Sequence, residues 1–433
     1  MEPLQAAARA QPEVEALGLD ERLRRAAASA RALAGAGEEV VALAVRESGQ
    51  ALRFARRELA SALGLLEALP ALAEAIRPRP VPAASGTTVL EWRPYGVVLG
   101  WHSANSPVWV PTLVAASALV GGNAVLARPS RRAGATTARA LGALAGAWPA
   151  GALGVLDLPP PEAEALVAHP GVHAVVAHAS TATVKRHLAR VGAAYAAGAP
   201  LRPYIPEASG NDALVVLGGA DLERAAEAAA LGGFANAGQL CMAAKRVVVE
   251  ARAWPAFRPR LAAAAAALVV GPAEDERTDV APLPGGPARE RARAALAEAL
   301  HLGGEVVVGQ GERGALFTPT VVLLPPAARA GALWREESFA PLRGLTLAAD
   351  AGEALRLAND SPYGLGAAVF GPPGPATEAV VGGLRAARVV VDEGPLYQDP
   401  HLVVGGVGES GLGGARPKLE QLVWARRVHR GAV

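Results

Sequence analysis

The sequence predicts an α/β protein: a parallel sheet with helices on both faces, a second α/β unit after it, and a small hairpin. Three observations carry that reading. From Gly96 onward, short apolar runs alternate with helical stretches at the spacing of strand–helix–strand units. The first 76 residues are rich in Ala, Arg and Glu with helical periodicity, and so form helices packed on something larger. A second β/α series opens near Arg246, in a chain of 433 residues that is too long for one ordinary core.

Composition narrows the class. Hydrophobic residues make up 51% and charged residues 19%, which describes a well-buried globular chain and excludes a disordered one. A formal net charge of +2 gives no basic footprint for nucleic acid. The single cysteine, Cys241, excludes an internal disulfide framework and fits the reducing cytoplasm. Met1-Glu-Pro-Leu-Gln5 lacks the basic-then-apolar layout of a secretion signal. Pro94 to Ala127 carries no charge, yet Gly100, Pro107, Pro111, Gly121 and Gly122 break it. It reads as strand–loop–helix–strand in a soluble protein, not as a membrane span.

In chain order, Glu38–Gln50 and Leu52–Leu69 space Leu, Val and Ala as amphipathic helices do. The Pro-rich Arg77–Gly86 connector leads into a strand, Thr87–Trp92, which together suit an edge hairpin reaching another subunit. Strands are predicted at Gly96–Gly100, Ala124–Arg128, Leu153–Leu158, Val172–Ala177 and Ala213–Leu217. Helices are predicted between them at Pro107–Val120, Gly134–Ala145, Glu162–Ala168 and Thr181–Ala194. Parallel sheets bind ligands beyond the carboxyl ends of their strands, where Asn105, Ser130 and Ser180 fall. The second series has strands at Arg246–Glu250, Glu305–Val308 and Thr318–Leu323, with helices at Trp254–Leu268 and Pro287–Leu302. After these come a helix from Ala351, a turn at Asn359–Pro362 and a further strand to Phe370. Gly405–Gly414 reads as a close-packed glycine loop, since no strand–GxGxxG–helix context surrounds it. No metal-ligand spacing occurs, and the eight histidines do not cluster.

Four polar positions carry chemistry. Cys241 follows small residues and two amides, Asn236 and Gln239, and precedes Lys245 and Arg246. Such a setting suits a thiolate nucleophile, and a buried structural thiol equally. Asn105 is either a fixed amide donor into a cleft or a helix N-cap. Glu207, between proline turns, is either a general base with a burial-raised pKa or a solvated turn residue. Glu337 lies in the polar turn Arg335–Pro341, whose default reading is a surface loop.

Taken together, these segments resemble the aldehyde dehydrogenase superfamily from roughly residue 22 to the C-terminus. Gly238-Gln-Leu-Cys241 is similar to the family's nucleophile motif, Pro206-Glu-Ala-Ser-Gly-Asn211 to its glutamate motif, and Ser103-Ala-Asn-Ser-Pro107 to its oxyanion-asparagine motif. Gly122–Ser130 resembles the cofactor strand. Glu336–Pro341, Asn359–Leu365 and Gly405–Gly411 match three further signatures in the family's order. The resemblance implies a Rossmann-like parallel-sheet cofactor domain (1–76 and 95–209) and a catalytic α/β domain carrying Cys241 (210–404). It also implies bridging or oligomerisation segments (77–94 and 415–433) and a homodimer or homotetramer.

The activity implied is oxidation of an aldehyde to a carboxylic acid with hydride transfer to NAD(P)+. Cys241 would form a thiohemiacetal and then a thioester. Asn105 and the Cys241 N–H would hold the oxyanion, a donor of this kind contributing roughly 3–4 kcal/mol. Glu207 would activate the hydrolytic water. Glu337 would hold the nicotinamide ribose and Phe339 would pack near the ring. Ser180, with Ala179, would meet the pyrophosphate at a helix start. Arg128, Ser130 and Arg131 would surround the adenosine ribose.

Departures from the family pattern modify these expectations. Arg128-Pro-Ser-Arg-Arg132 lacks the acid that NAD-preferring relatives often carry, and its guanidinium forks suit a 2′-phosphate, which leans the chain towards NADP. His178-Ala-Ser180 stands where Thr-Gly-Ser is usual, and Ser209 replaces the first glycine of the glutamate motif. The segment that usually precedes the first long helices is missing. Around the aldehyde tunnel, Ser106, Val110, Leu113 and Ala235, with Leu240 and Met242 beside the thiol, imply a wide entrance for a medium or bulky aldehyde. Two other readings compete. One is a CoA-acylating dehydrogenase, against which Glu207 argues. The other is a non-catalytic relative serving as a binding subunit, which the eroded cofactor motifs favour and the Cys241, Glu207 and Asn105 set opposes.

Overall fold

The computed structural model describes residues 2–283, 285–313, 316–397, 399, 405–413 and 418–431. Four helices open the chain: Glu2–Ala16, Gly18–Gly35, Gly37–Ser48 and Leu52–Ala73. The third ends at Gly49, whose φ of 71° is the left-handed turn that stops a helix. Leu33, Val40, Leu65, Leu66 and Leu69 form the apolar stripe these helices bury. Among the described residues one helix, Leu52–Ile76, is long and apolar enough to cross a membrane. It packs that stripe into the core and carries Arg53, Arg56, Arg57 and Glu58 at its start.

A five-stranded parallel sheet follows, in the order Leu153–Val155, Ala124–Arg128, Val97–Trp101, Ala174–His178, Tyr204–Glu207. The three inner strands are buried along their whole length, which explains their continuous apolar runs. Val97–Trp101 comes first in sequence and lies in the middle, so the chain winds outward from it in both directions. A crevice opens there at the carboxyl edge. Register brings Trp101 beside Arg128 and Ala177, and His178 beside Glu207.

Three sequence expectations need correction. Tyr204–Glu207 is a strand, although Pro203 and Pro206 argued for turns; an edge strand tolerates proline because one side makes no ladder. Asp212–Val216 does not continue the first sheet but starts the second. The helix expected from Pro107 begins at Trp109, which leaves residues 102–108 as a loop at the sheet's edge.

The second sheet has seven strands, ordered Glu305–Val308, Thr320–Leu323, Leu342–Ala348, Ala244–Glu250, Asp212–Val216, Gly366–Phe370, Arg388–Val391. All neighbours are parallel except the first pair. Phe234, Phe257 and Trp334 are buried in its core. A third sheet joins Arg79–Val81, Thr87–Pro94 and Val423–Arg430, the last two paired antiparallel over eight residues. The two segments expected to bridge subunits therefore lie in one sheet. Of those two segments, residues 415–417 and 432–433 lie outside the described residues, as do residues 400–404 of the expected catalytic domain and Gly414 of the expected glycine loop.

Candidate active site

Cys241 sits where the helix Leu222–Phe234 turns into the strand Ala244–Glu250. Between them Asn236, Ala237 and Gly238 have φ of 51°, 53° and 72°. Consecutive left-handed residues are costly, roughly 1–3 kcal/mol for each non-glycine residue, and persist only where their surroundings impose them. Two buried cations, Arg343 and Lys245, do so, and a third, Arg246, ties the following strand to its neighbours. Arg343 donates to the carbonyls of Gly233, Ala340 (2.8 Å) and Leu342 (2.8 Å). Lys245 Nζ donates to the carbonyls of Leu240 (2.6 Å) and Cys241. Arg246 donates to those of Asn211 (3.0 Å), Leu357 (3.1 Å) and Ala358 (2.8 Å). Gly238 leaves no room for substitution: a Cβ there would stand 2.3 Å from the Ala340 carbonyl oxygen.

The Glu207 loop packs directly on this turn. A Cβ on Gly210 would lie 2.3 Å from the Cys241 carbonyl oxygen. Gly210 N–H donates to Glu337 Oε1 at 3.0 Å, and Lys245 Nζ lies 3.4 Å from the same carboxylate. Glu337 is therefore no surface residue; it faces the underside of the Cys241 turn. Burial pushes the Cys241 thiol up to about 12, and the carboxylates of Glu207, Glu337 and Asp212 add to this against Lys245. The cysteine is nonetheless only partly covered.

Glu207 is buried at the end of its strand, and its Oε2 lies 3.0 Å from His178 Nε2. Burial raises its carboxyl, but the charge and hydrogen bond of His178, with Lys418 and Arg388, outweigh this and hold it below the ordinary value. The expected burial-raised base is thus corrected, because a strand register that the sequence did not disclose supplies a partner.

Asn105 lies in the loop four residues ahead of the Trp109–Val120 helix and is not its N-cap. Its Oδ1 accepts from Ser103 Oγ at 2.6 Å, which orients the amide so that Nδ2 remains the donor. Its carbonyl accepts from Gln50 (3.0 Å) and from Asn236 (3.2 Å), the latter tying the loop to the Cys241 turn. The helix is capped instead by Glu58, which is buried and accepts from the N–H groups of Val108 and Trp109 (both 2.9 Å) and from Ser106 Oγ (2.7 Å). Ser106 is therefore committed to Glu58. Gly210 and Asn236 thus tie the segments that carry Glu207 and Asn105 to the Cys241 turn.

At the carboxyl edge of the first sheet, Arg128 lies 4.1 Å over the Trp101 ring. Ser130 caps the short turn containing exposed Arg131. Ser180 caps the helix Thr181–Ala196. Ala179 N–H is spent on the Glu207 carbonyl at 3.2 Å, which removes it as a phosphate donor. Ser209, the glycine replacement, accepts from Thr181 N–H at 3.5 Å. Phe339 is half-buried. Of the expected tunnel residues, Ala235, Leu240 and Met242 form one small apolar cluster with Ala243, Leu396 and Phe54. Leu113 packs instead into the first domain's core, and Val110 is buried on the same helix.

Sequence reading missed Glu58, Gln50, Phe54 and the role of His178. Glu58 left a signal: an acid on the Ala55, Ala62, Leu65, Leu69 stripe of its helix.

The aldehyde dehydrogenase family model matches residues 2–423. The chain belongs to the aldehyde dehydrogenase family. The match includes the first helix, so it starts well ahead of residue 22. A succinate semialdehyde dehydrogenase of Escherichia coli (strain K12), described as NAD(P)+-dependent, is 31% identical over 408 residues, 91% of this chain and 85% of that protein. An NADP+ succinate-semialdehyde dehydrogenase of Deinococcus radiodurans is 34% identical over 390 residues, 87% of this chain and 78% of its own. The crystal structure of an NADP-dependent glyceraldehyde-3-phosphate dehydrogenase from Bacillus halodurans C-125, complexed with NADP, superposes with a TM-score of 0.90. It is 26% identical and covers 99% of this chain and 90% of that one.

Proposed function

We propose that this aldehyde dehydrogenase works through Cys241 as nucleophile, Asn105 Nδ2 and the Cys241 N–H as oxyanion donors, and Glu207 as the base that admits water. The observation that carries the reading is the joining of three distant segments at one turn: Gly210 against the Cys241 carbonyl and Asn236 on the Asn105 carbonyl. The thiol loses its proton to solvent and adds as thiolate to the aldehyde carbon. The alkoxide that forms meets donors already oriented by Ser103 and by the clamped turn. Water then cleaves the Cys241 thioester and the acid departs.

The family's cofactor, NAD(P)+, supplies the hydride acceptor when bound. The donor set fits it. Arg128 and Arg131 have no carboxylate within ion-pair distance among the described residues, and they would hold a 2′-phosphate, favouring NADP. Ser180 and the first turn of its helix would meet the pyrophosphate. The Ala235, Leu240, Met242, Phe54 and Leu396 cluster would receive the carbon chain of a medium or bulky aldehyde. The compartment proposed is the cytoplasm. The assembly proposed is a homodimer or homotetramer built through the sheet of Thr87–Pro94 and Val423–Arg430.

Steady-state rates over acetaldehyde, octanal, benzaldehyde and succinate semialdehyde, each with NAD+ and NADP+, test this reading. Cys241→Ala should lose at least about 10⁴-fold in kcat. Residual turnover in that variant, or the highest kcat/KM for acetaldehyde, would overturn the nucleophile or the pocket, respectively.

A further inference from the structure

His178 has no place in the chemistry described so far, yet it is buried against the proposed base. Parallel register sets His178 beside Glu207 at the ends of adjoining strands, and the Ala179 N–H to Glu207 carbonyl bond fixes that register. The side chains meet at 3.0 Å between Nε2 and Oε2, with exposures of 5% and 7%. Glu207 Oε1 has no hydrogen bond among the described residues. For Nε2 to donate to a carboxylate it must carry a proton, and the other ring nitrogen, Nδ1, is buried without a partner. On its other side the ring stacks on His102, centroids 6.2 Å apart. Burial, then the neighbouring His178 and Arg128, keep His102 well below the ordinary histidine range.

We propose that His178 is a positioning residue for Glu207: Nε2–H holds Oε2 and reserves Oε1 to take the proton of the water that opens the thioester. The inference rests on reading Glu207 as the base. Water oxygen bonds to the acyl carbon, a water proton goes to Oε1, the C–S bond breaks, and the sulfur leaves as thiolate with the bonding pair. That thiolate recovers the proton from Oε1, and no electrons change hands. Without the histidine, a carboxylate in this buried place would be free to rotate and would lose a charge-assisted bond. The titratable and charged groups facing Glu207 are His178 from its own sheet, Arg388 from the second sheet, Lys418 from the C-terminal segment and Cys241. His178 is faced by Glu207 and His102.

Hydrolysis of p-nitrophenyl acetate without cofactor isolates the step, since the burst of nitrophenolate reports acylation of Cys241 and the steady state reports deacylation. His178→Leu should keep the burst rate and lose about tenfold to a hundredfold in the steady state, the range for a hydrogen bond to a charged group. Its acid limb should move to higher pH. His178→Gln, which keeps an N–H donor, should recover most of the rate and the limb, and thermal unfolding of both variants reports folding. A wild-type steady state in His178→Leu, equal loss of burst and steady state, or no recovery in a folded His178→Gln would overturn the proposal. Glu207→Gln separates the two levels: if it deacylates at the wild-type rate, the assignment of Glu207 itself falls.

Discussion

The two sheets handle buried polar groups in opposite ways. Around Cys241 the buried cations are spent on main-chain carbonyls: Arg343 and Lys245 on Gly233, Ala340, Leu342, Leu240 and Cys241, and Arg246 on Asn211, Leu357 and Ala358. At the carboxyl edge of the first sheet stand buried histidines. His102 has neither ring nitrogen partnered, and His178 and His187 each leave one bare, among the described residues. A guanidinium clamp fixes a strained backbone and cannot be titrated away. Buried histidines with unpartnered ring nitrogens leave hydrogen-bonding capacity uncommitted.

The clamp breaks first under mutation. Arg343→Met would leave several buried carbonyls unsatisfied and release the left-handed turn, and should cost about 3–5 kcal/mol in urea denaturation. A loss under about 1 kcal/mol would show that the turn holds itself. The histidine side should show its character in pH. Burial pushes His187 from 6.5 down to about 4, where it lies against Trp101 and Tyr204. The unfolded chain takes up that proton near 6.5 and the folded chain only near 4. Stability is therefore complete above pH 6.5 and falls as pH drops to 4, by at most about 3 kcal/mol. His187→Phe should flatten that portion of the curve; an unchanged slope would count against it.

The smallest effect tests where the halves meet. Iodoacetamide labelling of Cys241 should rise about tenfold per pH unit with no plateau below pH 10, as a thiol held near 12 demands. Glu207→Gln, by removing the carboxylate that raises the thiol most, should speed labelling a few-fold at fixed pH, roughly 1 kcal/mol. A plateau near pH 8.5 in the unmodified protein would place the thiol outside the influence of those carboxylates.

Much of the site was legible along the chain. Cys241 stands out as the one cysteine, after a run of small residues whose bare backbone the turn requires, and Asn105 as a polar residue just past an apolar strand. Ala124–Arg128 and Gly134–Ala145 appear at their expected bounds because strong apolar runs and a glycine start mark them. The strand Tyr204–Glu207 was hidden by its prolines, and with it the partner of Glu207. Phe54 and Leu396 join the pocket cluster from segments more than 300 residues apart, which no local pattern announces.

By itself the sequence determined the α/β class and the family, and nominated the thiol, amide and carboxylate, since periodicity and motif are local properties of a chain. Tertiary structure alone decided which group each of these faces: histidine beside the carboxylate, serine on the amide, buried cations under the thiol. Those pairings arise from strand register and loop packing, which bring together residues that the chain keeps far apart, and burial then sets how readily each gives up a proton.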